Sequence, residues 1–586
     1  MSRIDKILVT AITIVFTVLL FLHLQATQEF SYYYREQQQI FLQDWSFVAT
    51  HMKAFGGLAT VVSMSLIQFF AEPYMGALIT AVIGGLTAFF LWLFLSGISK
   101  AKYLLPLSFI PVLIENVYLQ SADARYEGLV AMLAVAVLLW LYSLVAKHHY
   151  IIRCIVGVAA TLLLYPLFGS IALIFAVCAL LFDVLTKREK AYMSLLYLLV
   201  VLVFGFVGVS NGWITDYASA YYIGLYNEYY IEPTLTLGLT GLSVPIVMMV
   251  FWGCGFIHSK SVIAGCAAFV VLAVGIASIY TIKAKSAKNQ DFYTLQELYH
   301  YVSTEQWDKI TSCQNINPNV DLHMNCLNLA LSHKGTLVDD LFKYPQRDVR
   351  SLITSLGAFT EENVLFTQMY YRMGVVSQAL KLGFGTEVGI KDGNPTVLKT
   401  LIKTRLICGE YAVADKYLSQ LEKTHTYKEW ADQYRRLLYN DEAVEADAEL
   451  GMMRRSLPHD GVEFVSMRGV LYDLLKVLEA NPQNDNARDY AIAFLLLQKD
   501  FNQIKAFVDT YYGTPILPEL PVRLQEAVVS YAEKDADYCL GHGVTQQTLE
   551  RFADFRQKTL SARRSGGNVK AALRGYTDTF WYGIVK

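Results

Sequence analysis

The stretch "ILVTAITIVFTVLLFLHL", residues 7–24, carries no charged residue and is long enough to cross a lipid bilayer as one α-helix. It is followed at once by the polar and aromatic stretch "QATQEFSYYYREQQQIFLQDWSF", residues 25–47. Three consecutive tyrosines, an Arg-Glu pair and a run of three glutamines within it form a poor surface for lipid. The apolar run therefore predicts a retained membrane helix. The polar stretch that follows it is either an interfacial anchor or one wall of a site at the membrane surface.

The composition predicts two parts of different character. The 586-residue chain is 54% hydrophobic with a mean hydropathy of +0.34, which is too apolar for an ordinary soluble protein. Apolar runs dominate residues 1–282, whereas charged and polar residues recur throughout residues 283–586. We therefore expect an all-α protein with a polytopic membrane domain over 1–282 and a soluble helical domain over 283–586. Long loops are expected on the outer side at 26–73 and 211–242.

The apolar runs predict about nine membrane helices. They are residues 7–25, 74–97, 103–119, 127–146, 150–166, 168–185, 191–209, 243–258 and 262–282. A tenth run, 54–70, is uncharged but less apolar, and the sequence leaves open whether it crosses the membrane. With 54–70 on the outer side, most lysines and arginines of short loops share the side of the N-terminus. We therefore expect a bacterial inner-membrane protein with a cytoplasmic N-terminus and a periplasmic C-terminal domain.

Several functional classes receive no support from the sequence. The net charge of −2 gives no argument for nucleic-acid binding. The eight cysteines include no CxxC pair, and buried free thiols are favoured over a disulfide between Cys313 and Cys326. The chain lacks the GxxxxGK[ST], GxSxG and HExxH signatures of NTPases, α/β-hydrolases and metalloproteases. No metal site is predicted, although a divalent cation stays open as a cofactor.

The first outer loop offers three acids at helical spacing. Glu29, Glu36 and Asp44 are seven and eight residues apart, so they share one face if residues 29–47 form a helix. Such a face can supply a general base, supply metal ligands, or simply be solvated. Glu36 is the strongest candidate, because three tyrosines and Arg35 precede it and could order its carboxylate.

The second outer loop offers a further acid and a phosphate ligand. Glu115 ends a membrane helix, where a carboxylate is costly unless it faces water. Arg125 suits an anionic ligand such as a lipid phosphate, because the planar guanidinium matches phosphate oxygens. The alternative is an ion pair of Arg125 with Asp123 or Glu127. Arg35 is a second candidate for binding the lipid phosphate.

The third outer loop is rich in tyrosine. Five tyrosines lie within ten residues, at Tyr221, Tyr222, Tyr226, Tyr229 and Tyr230, with a spacing that predicts one side of a short helix. They form either an aromatic belt at the lipid headgroups or a surface for sugar rings or an isoprenoid tail. In the second interpretation Tyr222, Tyr226 and Tyr229 contact the substrate.

The order of these parts resembles the membrane glycosyltransferases of the C fold (GT-C). The resemblance implies transfer of a sugar from a polyprenyl-phosphate carrier, with an acid of the first outer loop as the catalytic group. By position that acid is Glu36 in "REQQQIFL", with Glu29 as the alternative, and Arg125 would stabilise the leaving phosphate. The phrases "YYREQQQIFLQDW", "FGGLATVVSMSLIQFF" and "TDTFWYGIV" also resemble an uncharacterised family of bacterial membrane proteins with a repeat-containing C-terminus.

The soluble domain reads as a series of helix pairs. Turns are predicted at Gly374, at Gly409–Tyr411 and at Lys499–Phe501, and the pattern resembles tetratricopeptide-like (TPR-like) repeats. Such solenoids bind proteins or peptides on a concave face. An alternative use is packing onto the membrane domain through the aromatic end "FWYG", 580–583. Two functions therefore stay open: a glycosyltransferase, or a non-catalytic anchor that presents a solenoid to cell-envelope proteins.

Overall fold

A computed structural model describes residues 3–121, 124–145, 148–225, 235–254, 262–354, 360–390, 392–458 and 469–585. Within these residues all helix and strand assignments are helices, so the predicted all-α class is confirmed. The chain forms two compact units. The first, here the membrane unit, comprises Met1–Glu36 and Phe41–Asn289, and the second, the helical unit, comprises Gln37–Ile40 and Gln290–Lys586.

The membrane unit contains twelve described α-helices. They are α1 (Arg3–Glu36), α2 (Trp45–Met52), α3 (Gly57–Ile67), α4 (Met75–Leu95), α5 (Ile110–Tyr118), α6 (Glu127–Val145), α7 (Tyr150–Phe168), α8 (Ala172–Leu185), α9 (Leu195–Ser210), α10 (Tyr217–Tyr221), α11 (Leu235–Cys254) and α12 (Val262–Ala287). Short 3-10 helices span Gln68–Ala71, Lys102–Phe109, Gly169–Ile171 and Ala191–Ser194.

Seven helical segments of the described residues are long and apolar enough to cross a membrane, as expected of a membrane-embedded protein. They are Ile7–Glu36, Met75–Leu95, Glu127–Val145, Tyr150–Leu185, Ala191–Ser210, Thr236–Cys254 and Ile263–Ala287. The predicted span 103–119 is instead divided between a 3-10 helix that contains Pro106 and the nine-residue α5. The open run 54–70 forms a shorter apolar helix, Gly57–Ala71.

Helix α1 continues well past its apolar part. Its 34 residues span about 51 Å at a rise of 1.5 Å per residue, whereas the hydrocarbon core of a bilayer is about 30 Å thick. The polar end of α1 therefore extends beyond the hydrocarbon. Residues 29–47 do not form one continuous helix, because α1 ends at Glu36. Asp44 does not continue a carboxylate face, and it caps α2 by accepting the N–H of Ser46 (2.9 Å).

Glycines of α4 allow α1 to pack closely against it. A Cβ at Gly85 would lie 2.0 Å from Oγ1 of Thr17, and a Cβ at Gly76 would lie 2.4 Å from the ring of Tyr32. Small residues at such contacts let membrane helices approach and gain van der Waals packing. This contact fixes the polar end of α1 beside the start of α4.

Helices α7 and α8 form a hairpin that a buried ion pair closes. Nε of Arg153, near the start of α7, lies 3.1 Å from Oδ2 of Asp183, near the end of α8, so the two helices run antiparallel. The same Asp183 oxygen accepts the hydroxyls of Tyr142 (2.7 Å) and Ser194 (2.5 Å). One carboxylate therefore ties α6, α7 and α8 to the 3-10 helix before α9.

The helical unit contains nineteen described α-helices. They are α13 (Gln290–Ser303), α14 (Trp307–Ser312), α15 (Asp321–His333), α16 (Leu337–Asp340), α17 (Thr360–Arg372), α18 (Val376–Gly389), α19 (Pro395–Ile407), α20 (Tyr411–Leu421), α21 (Lys428–Arg435), α22 (Asp441–Ala446), α23 (Ala448–Arg455), α24 (Val470–Ala480), α25 (Asp485–Gln498), α26 (Phe501–Tyr511), α27 (Val522–Ala532), α28 (Ala536–Gly541), α29 (Gln546–Arg564), α30 (Val569–Ala572) and α31 (Phe580–Ile584).

Three predicted turns in this unit each separate two packed helices. Gly374 lies between α17 and α18, Gly409 between α19 and α20, and Lys499 between α25 and α26. All three residues have a positive φ, which ends the preceding helix with a left-handed residue. None of the eight cysteines, all of them described, forms a disulfide.

The aromatic end of the chain packs inside the helical unit. Trp581 is 0% exposed, and its Nε1 donates a hydrogen bond to the backbone carbonyl of Glu526 in α27 (2.7 Å). The backbone N–H of Phe580 donates to the Glu526 carboxylate (2.8 Å). Both rings therefore pack in the core of their own unit, and the use of this end for packing onto the membrane domain stays a prediction.

The short segment Gln37–Ile40 belongs to the helical unit although it follows α1 directly. The side-chain amide of Gln37 accepts a hydrogen bond from the hydroxyl of Thr396 (2.6 Å) and donates one to the hydroxyl of Tyr427 (2.8 Å). The backbone carbonyl of Gln37 accepts a hydrogen bond from the side-chain amide of Asn394 (2.6 Å). The backbone N–H of Ile40 donates to the backbone carbonyl of Asp392 (3.0 Å). These bonds explain why the helix ends at residue 36.

Candidate functional site

A polar cluster, buried except for two half-buried arginines, lies where α1, α4, α5, α6 and α11 approach one another in the membrane unit. We define the polar cluster as Arg35, Thr80, Glu115, Arg125, Tyr126, Glu127 and Thr240. It brings together three residues that the sequence singled out, namely Arg35, Glu115 and Arg125. Ionisable side chains buried in a membrane protein are costly and usually serve a function.

Arg35 binds the end of α5. Its Nη1 donates to the backbone carbonyl of Ala124 (2.5 Å), and its Nη2 donates to the carbonyl of Leu119, the C-cap of α5 (3.0 Å). A cation is favoured there because the last carbonyls of a helix carry partial negative charge. Arg35 also attracts the carboxylates of Glu115 and Glu127. These two hydrogen bonds therefore tie the end of α1 to the end of α5 and to the loop before α6.

Glu115 lies against the first turn of α6. Only 2% of this residue is exposed, and a Cβ at Gly128 would lie 2.7 Å from its Oε1. The absence of a side chain at position 128 therefore makes room for the carboxylate. The hydroxyl of Thr240 in α11 lies within hydrogen-bonding reach of Glu115.

Glu115 and Arg125 line one small cavity. The cavity is lined by Glu115, Tyr118, Arg125, Gly128, Met132, Ile171, Ile223, Gly224, Leu237 and Thr240. The room for the centre of a water molecule is about 10 Å³, which is roughly what one water needs. The backbone N–H of Arg125 donates to the hydroxyl of Tyr118 at 3.4 Å, which ties the loop to the end of α5. One acidic and one basic residue therefore line the cavity, whose wall is otherwise mostly apolar.

Aromatic rings support the cluster from the side of α4. The ring of Phe70 makes edge contacts with Tyr32 and with Tyr126, each with centroids 5.3 Å apart. The hydroxyls of Thr80 and Tyr126 are hydrogen-bonded at 2.9 Å. These contacts hold Tyr126, and with it the neighbouring Glu127, at the start of α6.

The two predicted catalytic acids lie on α1. Glu36 follows Arg35 directly and is buried, with only 4% of the residue exposed. Glu29 lies about 10 Å earlier along the helix axis, at a rise of 1.5 Å per residue. Glu29 and Glu72 both lie near Tyr33, so Glu29 has a different environment from the residues of the polar cluster. The catalytic role of both acids stays a prediction.

The tyrosine-rich loop contributes one described ligand candidate. Tyr222 is half-buried, and its hydroxyl would lie 3.1 Å from a Cβ at Gly238 of α11. Its backbone carbonyl accepts the hydroxyl of Ser170 (2.8 Å). Tyr222 thus packs beside the helix that supplies Thr240. The predicted ligands Asp123, Tyr226 and Tyr229 lie outside the described residues.

Sequence reasoning missed three members of the polar cluster, Thr80, Tyr126 and Thr240, and the neighbouring Gly128. A threonine or a glycine within an apolar run gives no signal of its own, because the contact that gives it meaning comes from another helix. Within the described residues, no group of three or more His, Cys, Asp or Glu side chains is placed to hold a metal ion.

Comparisons with known proteins match the chain to one family. A model described as a family of unknown function (DUF6057) matches residues 4–583. No curated protein and no solved structure matches the sequence.

Proposed function

The chain belongs to this family of unknown function, and from its polar cluster we propose a membrane-embedded glycosyltransferase of the C-fold type. The enzyme would move a sugar from a polyprenyl-phosphate donor onto an acceptor at the outer leaflet of the bacterial inner membrane. The observation that carries the proposal is the meeting of Glu115 and Arg125 in one cavity of the membrane unit. A general base and a phosphate-binding cation are the two groups that this transfer needs.

In the proposed reaction an acceptor hydroxyl oxygen attacks the anomeric carbon of the donor sugar. The bond from that carbon to the phosphate oxygen breaks, and the polyprenyl phosphate leaves with the electron pair. Glu115 takes the proton of the acceptor hydroxyl, and Arg125 stabilises the charge that grows on the phosphate. Glu115 is preferred over Glu36 as the base because it lines the cavity with Arg125.

A sugar donor needs more room than the cavity offers. The space is about 10 Å³, so the proposal requires the apolar wall at Ile223 and Leu237 to move away when the donor binds. Tyr222 adjoins this wall and would contact the sugar or the first isoprene units. Arg35 would hold the helix ends in place rather than bind the phosphate, because its guanidinium donates to two backbone carbonyls.

Binding of a short-chain polyprenyl phosphate tests the proposed site. Purified protein in nanodiscs of neutral lipid would be titrated and the complex measured by native mass spectrometry. We expect one bound molecule per chain and at least tenfold weaker binding by Arg125→Gln, with Arg436→Gln, an exposed arginine of the helical unit, as the matched control. Equal binding by the Arg125 and Arg436 variants would contradict the proposed phosphate site.

The second candidate function is a non-catalytic membrane anchor whose TPR-like helical unit binds cell-envelope proteins or peptides. The observation that favours it is the near-absence of free volume beside Glu115. The helix pairs of the second unit support it as well, because stacked pairs of this kind present extended binding surfaces. The two functions differ in one outcome, since only the enzyme changes the pool of lipid-linked sugars.

The proposed location is testable by labelling from outside the cell. We expect a membrane-impermeant maleimide to label Thr304→Cys and not Lys187→Cys in spheroplasts of a cysteine-free background, since both positions are exposed. Detergent-opened cells provide the control, because both variants should then react. Labelling of position 187 without labelling of position 304 would contradict a periplasmic helical unit.

A further inference from the structure

A five-residue loop joins two of the segments that are long enough to cross a membrane, Tyr150–Leu185 and Ala191–Ser210. We call residues 186–190 the basic loop. Besides one threonine it contains three cations and one acid, in the order Lys187, Arg188, Glu189 and Lys190. Five residues span at most about 18 Å when fully extended, so the loop cannot extend far from the membrane surface that its two ends adjoin. Its charges therefore lie beside lipid headgroups when the protein is in a membrane.

The start of α7 packs against the basic loop and completes a surface with it. Nη2 of Arg153 donates a hydrogen bond to the backbone carbonyl of Glu189 (2.5 Å). Nζ of Lys190 lies 3.9 Å from the centre of the Tyr150 ring, and the ring centre of His149 lies 4.2 Å from that of Tyr150. The buried ion pair that closes the α7–α8 hairpin therefore also positions the basic loop, because Arg153 takes part in both contacts.

The backbone of the basic loop has a defined shape. The N–H of Arg188 donates to the carbonyl of Asp183 (2.8 Å), and the N–H of Met193 donates to the carbonyl of Lys190 (2.9 Å). Lys187 and Lys190 have φ values of 53° and 50°, in the left-handed region that residues other than glycine seldom adopt. Residues in this region persist where the surrounding structure holds them, and they cluster at ligand sites. The two lysines therefore project from a turn that hydrogen bonds stabilise.

Two cations of the basic loop are available to an anion. Lys187 and Lys190 are exposed, and neither forms an ion pair with an acid in the part of the chain that the structure describes. The charge of Glu189 acts on Lys190 without such a pair. Arg188 is half-buried, and its charge acts on Asp183 of the hairpin. The two lysines are therefore the groups that can bind a ligand from outside the protein.

Two strips of exposed apolar side chains begin directly beside the basic loop. One strip lies on α9 at Leu195, Leu199 and Leu202, whose spacing of four and three residues puts them on one helical face. The other lies on α7 at Ile151 and Ile155, one turn apart. Exposed apolar residues of a membrane-spanning helix contact acyl chains. A ligand with a negative head and apolar tails would therefore match both the lysines and the strips.

We propose that the basic loop binds an anionic phospholipid of the bilayer. The ammonium groups of Lys187 and Lys190 would bind the phosphate, and the two acyl chains would lie along the strips of α9 and α7. A soluble anion is disfavoured because it would leave the strips without a partner. The loop lies at the end of α8 remote from Ile171 of the small cavity, about 20 Å away at 1.5 Å per residue. The proposal therefore does not depend on the transferase activity.

The test uses the full chain in a neutral detergent and dioleoyl phosphatidylglycerol as the probe. Native mass spectrometry during a lipid titration would give the affinity for the first bound lipid. We expect phosphatidylglycerol to bind at least fivefold more tightly than the zwitterionic dioleoyl phosphatidylcholine. Lys187→Gln/Lys190→Gln should lower the affinity for phosphatidylglycerol at least fivefold and leave that for phosphatidylcholine within twofold. Both substitutions change exposed side chains, so the far-ultraviolet circular dichroism should match that of the wild type.

Two controls separate a site at the basic loop from general attraction by charge. Lys283→Gln/Lys285→Gln removes two exposed charges from the end of another membrane-spanning helix, α12, and should bind phosphatidylglycerol like the wild type. Glycerol 3-phosphate in hundredfold excess carries the same phosphate without acyl chains and should not displace the lipid. An affinity of the Lys187/Lys190 variant within twofold of the wild type, or an equal loss in both double variants, would overturn the proposal. Displacement by glycerol 3-phosphate would also overturn it and identify a soluble anion as the ligand.

Discussion

Replacing Asp183 by leucine tests the buried ion pair that closes the α7–α8 hairpin. The side chains of Arg153 and Asp183 are 3% and 0% exposed, so the change leaves a buried guanidinium without its counter-ion. The hydroxyls of Tyr142 and Ser194 lose their acceptor at the same time. Removal of one partner from a buried pair costs about 3–5 kcal/mol, and we expect a loss of this size in the free energy of unfolding. Reversible unfolding in mixed micelles by added SDS would measure it.

The double variant Arg153→Met/Asp183→Leu decides whether the loss comes from the unpaired charge. Replacing both ions by apolar side chains removes the uncompensated charge, so we expect the double variant to be about 2 kcal/mol more stable than the single one. Lys187→Gln, an exposed charge at the same end of α8, is the control and should change stability by less than about 0.5 kcal/mol. The reasoning is refuted if Asp183→Leu costs less than about 1 kcal/mol, or if the double variant is the less stable of the two.

Three further predictions concern other parts of the molecule. Gly128→Ala places a methyl group 2.7 Å from Glu115 Oε1 and should cost about 1–3 kcal/mol in the same SDS titration, whereas Gly253→Ala, with no neighbour within 4 Å, should cost far less. Trp581→Ala empties a fully buried site and should cost about 3–5 kcal/mol in urea unfolding followed by circular dichroism; a loss below about 1 kcal/mol would show that this ring does not support the core. His323 accepts a backbone N–H at Nδ1 and donates from Nε2 to a carbonyl, so it is neutral, and burial lowers its pKa below the unfolded value of 6.5. Its contribution to stability is therefore complete above about pH 6.5 and declines as the pH falls, and His323→Gln should reduce this decline; an unchanged pH profile would contradict it.

The sequence predicts the membrane helices well because long apolar runs have few alternatives to crossing a bilayer. The hairpin of α7 and α8 agrees with the two predicted runs 150–166 and 168–185, which Pro166 and Gly169 separate. The turns of the helical unit were predictable for a similar local reason, since a glycine or a charged residue at a left-handed position ends a helix. Each of these signals lies within a few residues of the feature that it predicts.

Features that depend on distant contacts were not predictable in this way. The end of α1 at Glu36 follows from hydrogen bonds between Gln37–Ile40 and residues more than 350 positions later in the chain. For the same reason Asp44 does not share a helical face with Glu29 and Glu36, although the spacing of the three acids allowed it. The sequence found the charged members of the polar cluster because charge near an apolar run is unusual. It could not find Gly128, whose role is the space that it leaves for Glu115.

The most direct test of the proposed transfer is a profile of lipid-linked and surface glycans in a strain that lacks the protein. The strain would be complemented at matched expression with the wild type, with Glu115→Gln, or with Glu36→Gln. The proposal predicts a change in the lipid-linked sugars that the wild type reverses and Glu115→Gln does not. The outcome for Glu36→Gln then shows whether the acid implied by the resemblance takes part as well. An unchanged glycan profile in the deletion strain, or full restoration by Glu115→Gln, would contradict the transferase and favour the anchor that presents the helical unit to partners.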